Sequence, residues 1–423
     1  MTRRTFLTAT EAAAALGVRL PTLYAYVSRG LLRSEPGAGG RARGYPAADV
    51  EALRQRSAIR RDPPRAVRQA LDWGAPVLDS ALTLIAGGRL FYRGEDAVEL
   101  ARRGESLERV AALLWLGRLD APLPAPAPWR LAVLPRLEPE LAASRAWRPF
   151  QRMQVWLPLA TAEDPGAYDL RPAAVMAAGA WLLPLLAMLA AGTTRGLRDA
   201  RAAPERMRAA AVLAHAWAPA EGAATDADTA AELARLLDLA LVLSADHELN
   251  VSAFTARCVA SAGAPPQAAV AAGLQALGGV RHGGQAERVE ALLAELAAGG
   301  SIRDRLAARL RRGEEIPGFG HRLYLEGDPR ARLLLDVAAA RRPVPPVAEL
   351  AAEVAAAAFD LLHERPNLDF GLVTLAQALG LPAGAPTALF AVGRSAGWIA
   401  HVLEQIADGR LIRPRARYIG PQP

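Results

Sequence analysis

Three of the six histidines in this 423-residue chain stand in polar or glycine-flanked segments, which are uncommon in a packed helical core. The segments are ADHELN, GGVRHGG and IPGFGH, and they carry His247, His282 and His321. A carboxylate, Asp369, follows a proline-induced break in the segment PNLDF. Imidazole and carboxylate groups transfer protons near neutral pH, so these residues indicate general acid–base chemistry.

Three arginines, Arg330, Arg394 and Arg413, lie in or beside other turn-rich segments. A guanidinium group can bind a carboxylate through two parallel hydrogen bonds, so these residues favour a carboxylated substrate. The sequence has no HExxH motif and no cysteine–histidine cluster with ligand spacing, and we predict no metal site. All fifty basic residues are arginine, which excludes lysine Schiff-base chemistry and a lysine-containing phosphate loop.

The composition predicts a globular protein of two or three domains, with 52% hydrophobic and 22% charged residues. The single cysteine, Cys258, has no partner for an internal disulfide, and no secretory signal pattern opens the chain. We therefore expect a cytoplasmic location.

The uncharged stretch from Pro172 to Gly192 could span a bilayer by length, but Pro184 interrupts it and alanine dominates it. We predict a buried helix there and no membrane contact.

The basic excess of the chain is concentrated at its N-terminus. Residues 1–62 hold 11 arginines against five acidic residues, whereas the remaining residues hold 39 against 38. This asymmetry indicates an N-terminal module that binds a polyanion. Thr8 and Glu11 have the spacing of a capping box, Gly17 would end the first helix, and Pro21 would open the second.

Two short helices joined by a tight turn predict a helix-turn-helix. A Gly- and Arg-rich stretch at 33–45 and a third helix from about Pro46 would complete a winged form. The segments LTATEAAAALGV and TLYAYVSRGLL resemble the DNA-binding domain of MerR-type regulators and excisionases, over Thr5 to Arg56. The other hypothesis is a basic helical domain that docks on a protein or on the rest of the chain. The predicted DNA-contacting residues are Arg19, Thr22, Tyr24, Tyr26 and Arg29.

The remainder of the chain is predicted to be mainly α-helical, because apolar residues recur at helical spacing from about residue 67 onward. A short strand pair is expected from Leu82 to Arg93, where two glycines separate two apolar runs. We divide the chain into a helix-turn-helix domain at 1–60, a linker at 61–71 and a body at 72–423.

The body resembles the citrate synthase family through six motifs in the family's order. They are ADHELN, GGVRHGG, IPGFGHRLYLEGDPRA, PNLDF, AVGRSAGWIAH and RPRARYIG. The likeness covers about residues 72–423 and is weakest from 120 to 240, and a MerR-like domain fused to such a body is a known arrangement of the family. The resemblance implies an all-α fold, a small subdomain at about 284–380 that closes over the substrate, and a homodimer.

The resemblance also implies a reaction, the condensation of oxaloacetate with acetyl-CoA as co-substrate and without a further cofactor. Asp369 matches the general base, His282 the residue that hydrogen-bonds the thioester oxygen, and His321 the residue that polarises the oxaloacetate ketone. The matching substrate-binding residues are His247, Arg330, Arg394 and Arg413, the last donated across the dimer interface.

The sequence leaves two further hypotheses open: a 2-methylcitrate synthase that uses propionyl-CoA, and a transcriptional regulator whose synthase body senses metabolites. Gly371-Leu372, Leu325 and Val280-Arg281 depart from common family residues, so the acyl-CoA preference stays undecided. The helix expected from Gln285 to Ala297 follows His282 closely, and we predict that its positive end keeps this imidazole neutral. The residues we assign to packing alone are His215, His363, Glu364 and His401.

Overall fold

The structure is a computed structural model that describes residues 6–36, 43–47, 49–50, 53, 78–125, 127–194, 207–218, 227–416 and 418–421. Its contacts divide the chain into two units, Met1–Asp79 and Ser80–Pro423. The predicted linker at 61–71 lies outside the described residues. The predicted domain boundaries stay predictions.

In the N-terminal unit, two helices and a small antiparallel sheet enclose a core that includes Leu23. Thr8 and Glu11 form the predicted capping box, and Gly17 ends the first helix at a φ of 63°. The second helix begins one residue before Pro21. The elements are β1 (Phe6–Leu7), α1 (Ala9–Leu16), α2 (Leu20–Ser28), β2 (Glu35–Pro36) and β3 (Arg43–Pro46), with sheet order β1-β3-β2.

The third helix, predicted from about Pro46, begins one residue later, because Pro46 pairs with Phe6 as the last residue of β3. Proline has no N–H group to donate to a neighbouring strand, so it suits the last position of a strand. Residues 47, 49, 50 and 53 are helical, and the residues between and after them lie outside the described part of the chain.

The second unit opens with an antiparallel sheet, and helices form the rest of it. The predicted strand pair is confirmed: β4 (Thr83–Ala86) and β5 (Arg89–Tyr92) pair around two glycines with positive φ, and β6 (Glu95–Asp96) extends the sheet. The helices are α3 (Ala97–Arg102), α4 (Leu107–Leu116), α5 (Pro128–Leu131), α6 (Leu134–Ala143), α7 (Pro149–Thr161), α8 (Pro172–Ala191), α9 (Ala209–Trp217), α10 (Ala227–Ser244), α11 (Val251–Ser261), α12 (Pro266–Leu277), α13 (Gln285–Ala297), α14 (Ile302–Arg311), α15 (Pro329–Ala339), α16 (Pro346–Leu362), α17 (Leu368–Ala378) and α18 (Ala385–Asp408).

Two separate hydrophobic cores divide these helices. The larger core includes residues from α3 through α12 and the long helix α18. The smaller core spans residues 286–373 and is built from α13, α14, α16 and α17, with Val289, Leu306, Val354 and Phe370 among its members. This smaller core falls inside the range 284–380 that the sequence predicts for a subdomain.

Helix α8 is the uncharged stretch that could be mistaken for a membrane span. It is long and apolar enough to cross a bilayer, yet 72% of its most apolar 18-residue stretch is buried within the protein. The guanidinium of Arg152 caps its C-terminal end by donating to the carbonyls of Leu189 and Ala190. The prediction of a core helix is confirmed.

Helices α10 and α18 approach each other closely at two glycines. A Cβ atom at Gly393 or at Gly397 would lie under 3.0 Å from a carbonyl oxygen at the end of α10 or just after it. The Gly397 N–H donates to the carbonyl of Ala245 at 3.0 Å. Because the two glycines let the helices approach this closely, Arg394, which lies between Gly393 and Gly397, is held beside the segment that carries His247.

Candidate active site

His247 lies in the turn between α10 and α11. Its Nε2 is 3.0 Å from the hydroxyl of Tyr324, and its ring centroid is 5.2 Å from that of His321. Asn250 ends the turn as the N-cap of α11, since its side-chain oxygen accepts the N–H of Ala253. The turn therefore places His247 against a second imidazole and a phenol.

His321 lies in the loop between α14 and α15. The N–H of Leu323 donates to its Nδ1 at 3.1 Å, so a neutral His321 ring holds its proton on Nε2. The loop is attached to the segment before α17, because Gly320 N–H donates to Arg365 O and Asn367 N–H to Gly318 O, both at 2.9 Å. His321 is thereby fixed near the start of the helix that carries Asp369.

Asp369 lies in the first turn of α17, which Asn367 caps. Its Oδ1 is buried and has no hydrogen-bond partner among the described residues. Asp328 connects this helix to Arg330: it accepts the Leu368 N–H at 3.1 Å and binds the guanidinium at 2.9 and 2.8 Å. A buried, unpaired carboxylate oxygen beside a fixed cation is an unusual arrangement that favours proton transfer.

His282 lies in the turn between α12 and α13. The turn is tight, because a Cβ atom at Gly283 would lie under 3.0 Å from Leu277. The Nε2 of His282 is 2.9 Å from the hydroxyl of Ser252, and its ring centroid is 6.0 Å from that of Phe390. Helix α13 has the bounds predicted from the sequence.

The hydroxyl of Ser252 decides which nitrogen of a neutral His282 holds the proton. It accepts the indole N–H of Trp398 at 3.1 Å and has one proton to give. Two acceptors lie within reach, Asn250 Oδ1 at 2.8 Å and His282 Nε2. When Ser252 donates to His282, the ring proton lies on Nδ1, which is then free to donate elsewhere.

Two buried guanidinium groups complete the cluster. Arg394 donates from Nε to the Ser244 carbonyl at 2.7 Å and lies 4.7 Å from the centre of the Phe390 ring. Arg330 lies 5.4 Å from the centre of the Tyr324 ring. Burial lowers the pKa of Arg394 to about 10, which leaves it cationic at neutral pH. Both groups can attract an anionic substrate.

The enclosed setting changes the proton affinity of the acid–base groups. Burial, with the nearby Asp328 charge, raises the pKa of Asp369 to about 7, against the opposing effect of the two arginines. Burial and a nearby arginine lower the pKa of His282 and of His321 to about 4. Burial and the same arginines also hold the pKa of His247 well below its usual value. The three imidazoles are therefore neutral at pH 7, while Asp369 is partly ionised.

The neutral state of His282 agrees with the prediction, but its physical cause differs. The sequence pointed to the positive end of α13. In the structure, burial is the largest cause of the lowered pKa, and the charge of Arg394 is the second.

The structure brings six of the seven predicted residues of this site together and leaves the seventh apart. Arg413 is exposed in the tail after α18 and makes no hydrogen bond or ion pair with any described residue. The catalytic and binding roles of all seven stay predictions. Within the described ranges, no group of three or more histidine, cysteine, aspartate or glutamate side chains could hold a metal ion.

The predicted DNA-contacting residues lie on and beside α2. Arg19, Thr22, Tyr24 and Arg29 are exposed. The assignment of Tyr26 to the exposed face needs correction, because this side chain is half-buried and packs against the small core. It follows Leu23 by three residues, and residues with this spacing share one face of a helix.

The departures from family residues differ in what they touch. Gly371 faces α15, where a Cβ atom would lie 3.0 Å from the Cα of Ala331, and Leu372 is buried in the larger core. These two residues therefore belong to helix packing. Val280 and Leu325, 68% and 77% exposed, lie next to site segments and present apolar surface to solvent.

Sequence reasoning missed the polar side chains that support the site. Tyr324 and Asp328 stand within the same motif as His321, and Ser252 stands two residues after ADHELN. Their nearness to the motifs was the available signal. Tyr324 contacts His247, and Ser252 contacts His282, in segments far along the chain, so spacing alone could not assign these two residues. Asp328 binds Arg330 only two residues away.

Comparisons with known proteins agree with this geometry. Residues 70–415 match the family described as "Citrate synthase, C-terminal domain", and residues 6–58 match "Helix-turn-helix domain". A citrate synthase of Deinococcus radiodurans is 30% identical over 370 residues, covering 82% of this chain and 94% of the relative. A 2-methylcitrate synthase of Shewanella oneidensis is 33% identical over 201 residues, covering 45% and 51%. The crystal structure of citrate synthase from Thermotoga maritima superposes with a TM-score of 0.62 at 26% identity, covering 83% of this chain and 95% of that one.

Proposed function

Because the chain belongs to the citrate synthase family, we propose that it condenses acetyl-CoA with oxaloacetate to give citrate and CoA. The family and the helix-turn-helix domain are as the sequence predicts, and the protein is a citrate synthase-type enzyme that forms a carbon–carbon bond with an acyl-CoA. The observation that carries the proposal is the site itself. A buried carboxylate with a pKa near 7 lies with neutral imidazoles and two buried guanidinium groups.

Asp369 is the proposed base that removes a proton from the thioester methyl group. Its raised pKa makes the carboxylate a stronger base than an ordinary aspartate and leaves a large ionised fraction at neutral pH. His282 would donate a hydrogen bond to the thioester oxygen as negative charge develops there. A neutral donor suits this role, because its proton affinity lies closer to that of the enolate oxygen than an imidazolium's would.

The second substrate is proposed to lie between the arginines and the two paired histidines. The carboxylates of oxaloacetate would bind Arg330, Arg394 and His247, while the Nε2–H of His321 donates to the ketone oxygen. The methyl carbon then attacks the ketone carbon, and the oxygen takes the Nε2 proton of His321. The ring regains a proton through water, and Asp369 releases the proton that it took from the methyl group, so both groups return to their starting states. Water hydrolyses the citryl thioester and releases CoA, so the reaction needs no cofactor besides its acyl-CoA substrate.

We propose a homodimer in which Arg413 reaches the site of the partner subunit. Arg413 is exposed and makes no polar contact in its own subunit's described part. Helix α7 also exposes two apolar side chains one turn apart, Val155 at 42% and Leu159 at 58%. Apolar surface of this kind favours contact with a second copy of the chain.

Thiol release from acetyl-CoA in the presence of oxaloacetate tests the proposed reaction. We expect oxaloacetate-dependent release, and its absence would refute the proposal. The same assay with propionyl-CoA decides whether 2-methylcitrate is the better product, and one methylene group changes such discrimination by about 1–3 kcal/mol. A higher kcat/KM for propionyl-CoA would assign the methylcitrate reaction instead.

We also propose that the N-terminal unit binds DNA through α2. Its basic charge and the exposed side chains of Arg19, Tyr24 and Arg29 support this role. Replacing both arginines by alanine should weaken binding and reduce its salt dependence. Unchanged DNA affinity with the same salt dependence would contradict this role.

A second outcome would support the sensor hypothesis. DNA binding that depends on oxaloacetate, without thiol release from acetyl-CoA, would assign the body as a metabolite sensor.

A further inference from the structure

A fully buried pair of polar side chains joins α18 to the residue that precedes His247. Asp246 and His401 are both inaccessible to solvent, and the Nε2 of His401 lies 3.3 Å from the Oδ1 of Asp246. This distance is slightly longer than the usual range for an N–H···O hydrogen bond. Neither atom forms a hydrogen bond of ordinary geometry with any described residue, so the contact joins two buried atoms that are otherwise unpaired. Since buried polar groups are almost always paired, each must serve the other.

The surroundings of His401 fix where its proton lies. The Nη1 of Arg257 is 3.4 Å from the Nδ1 of His401. A guanidinium group only donates hydrogen bonds, so Nδ1 is the acceptor and the ring proton lies on Nε2, towards Asp246. Arg257 is itself held by Glu404 at 2.8 Å and Gln405 at 3.0 Å. The tautomer of His401 is therefore set by a chain of side chains on α11 and α18.

Asp246 is an anion at neutral pH and has one donor for each oxygen. The hydroxyl of Thr83 donates to its Oδ2 at 2.6 Å, and the Nε2–H of His401 is the donor that faces Oδ1, at 3.3 Å. Burial alone would raise the pKa of Asp246, but His401, Arg394 and Thr83 outweigh burial and lower it. A buried anion held at both oxygens has little freedom to move, and it is a fixed anchor for the chain around it.

The turn that follows this anchor is strained. Glu248, one residue after His247, has a φ of 52°, in the left-handed region that residues other than glycine rarely adopt. Such a conformation persists only where the surrounding structure enforces it. The hydroxyl of Tyr92 holds the main chain here: it accepts the Asp246 N–H at 3.4 Å, and its own proton faces the carbonyls of Val242 at 3.0 Å and Asp246 at 3.3 Å. The carboxylate of the same residue is held by His401, so both ends of Asp246 are fixed.

We propose that His401 is a positioning residue for substrate binding, which holds Asp246 and through it the turn that presents His247 to the keto-diacid. This inference rests on the proposed function, because it assumes that His247 binds oxaloacetate. A residue that only stabilised the fold would affect both substrates alike. A positioning residue for His247 affects the affinity for oxaloacetate and leaves the affinity for acyl-CoA unchanged.

Two substitutions at position 401 separate these roles. His401→Leu removes the donor to Asp246, whereas His401→Gln keeps an amide N–H near the place of Nε2. We expect His401→Leu to raise the KM for oxaloacetate about tenfold, the size of one lost hydrogen bond to a charged group, with the KM for acetyl-CoA within twofold. We expect His401→Gln to restore the KM for oxaloacetate to within about threefold of the parent's value.

A second variant, a control variant and a binding measurement complete the test. Thr83→Val removes the other donor to Asp246 in a half-buried position, and it should raise the same KM selectively if His401→Leu does not fold. His215→Leu, at an exposed position on α9, is the matched control and should change neither KM. Calorimetric titration with oxaloacetate gives its Kd without turnover. A parent protein that binds oxaloacetate but releases no thiol would contradict only the proposed function, and the Kd values of the variants would still test the positioning role. An unchanged oxaloacetate KM and Kd in folded His401→Leu and Thr83→Val overturns the positioning role.

Discussion

At the scale of single residues, burial shifts the pKa values of the acid and base groups of the site in opposite directions. Burial disfavours charge, so it raises the pKa of Asp369 and lowers those of His282 and His321. The result is a base that is stronger than usual beside two neutral donors. The motifs predicted six of the side chains that meet, but they also included Arg413, which lies apart, and missed Tyr324, Asp328 and Ser252. The size of these pKa shifts could not be predicted, because burial is the largest cause of each and depends on how distant segments pack together.

The pH dependence of kcat/KM should show a single acid limb. Asp369 must be ionised to act as a base, and its pKa of about 7 is above the ordinary value, so activity falls as pH decreases through 7. Below that point we expect about a tenfold loss for each pH unit. The histidines stay neutral down to about pH 4 and add no limb above it. An acid limb centred near pH 4 would contradict the raised pKa.

At the scale of elements, sequence signals that act locally predicted the structure well. The capping box of α1, the glycines between β4 and β5, and the bounds of α13 are all local. The contact between α10 and α18 was not predicted, because two glycines four residues apart within AVGRSAG have no partner until the fold supplies one. That contact places Arg394 next to the turn that carries His247.

Gly397→Ala should disrupt this contact. Its Cβ atom would lie under 3.0 Å from the Ala245 carbonyl and from the carboxylate of Asp246, neither of which is a free side-chain end. Overpacking of this kind costs about 1–3 kcal/mol, and we expect a lower free energy of unfolding together with a higher KM for oxaloacetate. On the same helix, Ser395→Ala loses only a hydrogen bond to Val392 within the helix and should cost less. Equal stability of the parent protein and Gly397→Ala, by chemical denaturation, would show that the approach of α10 and α18 is not tight.

At the scale of the whole molecule, the chain consists of a basic N-terminal unit and a helical unit that holds the site. The uneven placement of charge led to the prediction of a separate N-terminal module, and its predicted boundaries stay predictions. The proposed homodimer cannot be inferred from the charge pattern. It rests on the resemblance and on Arg413, which is exposed and has no polar contact among the described residues of its own subunit.

Mixing two inactive variants tests the shared site. In a dimer that pairs Arg413→Ala with Asp369→Asn, one of the two sites would combine an intact Asp369 with an intact Arg413 from the partner. Random reassembly after mixing should then restore about a quarter of the parent activity, because about half of the dimers are mixed and each has one good site. If Arg413 serves its own subunit, the mixture stays as inactive as its parts.

The most direct test of the central claim is the turnover of Asp369→Asn in the thiol-release assay, measured beside Asp360→Asn. Asp360 is an exposed carboxylate on α16, so its amide variant should keep the parent rate. The account predicts that Asp369→Asn lowers kcat by about 10² to 10⁴, the usual contribution of a general base. Its thermal stability at pH 7 should be at least that of the parent, because an ionised buried carboxylate with a raised pKa destabilises the folded state. A folded Asp369→Asn protein with the parent's turnover would contradict the account.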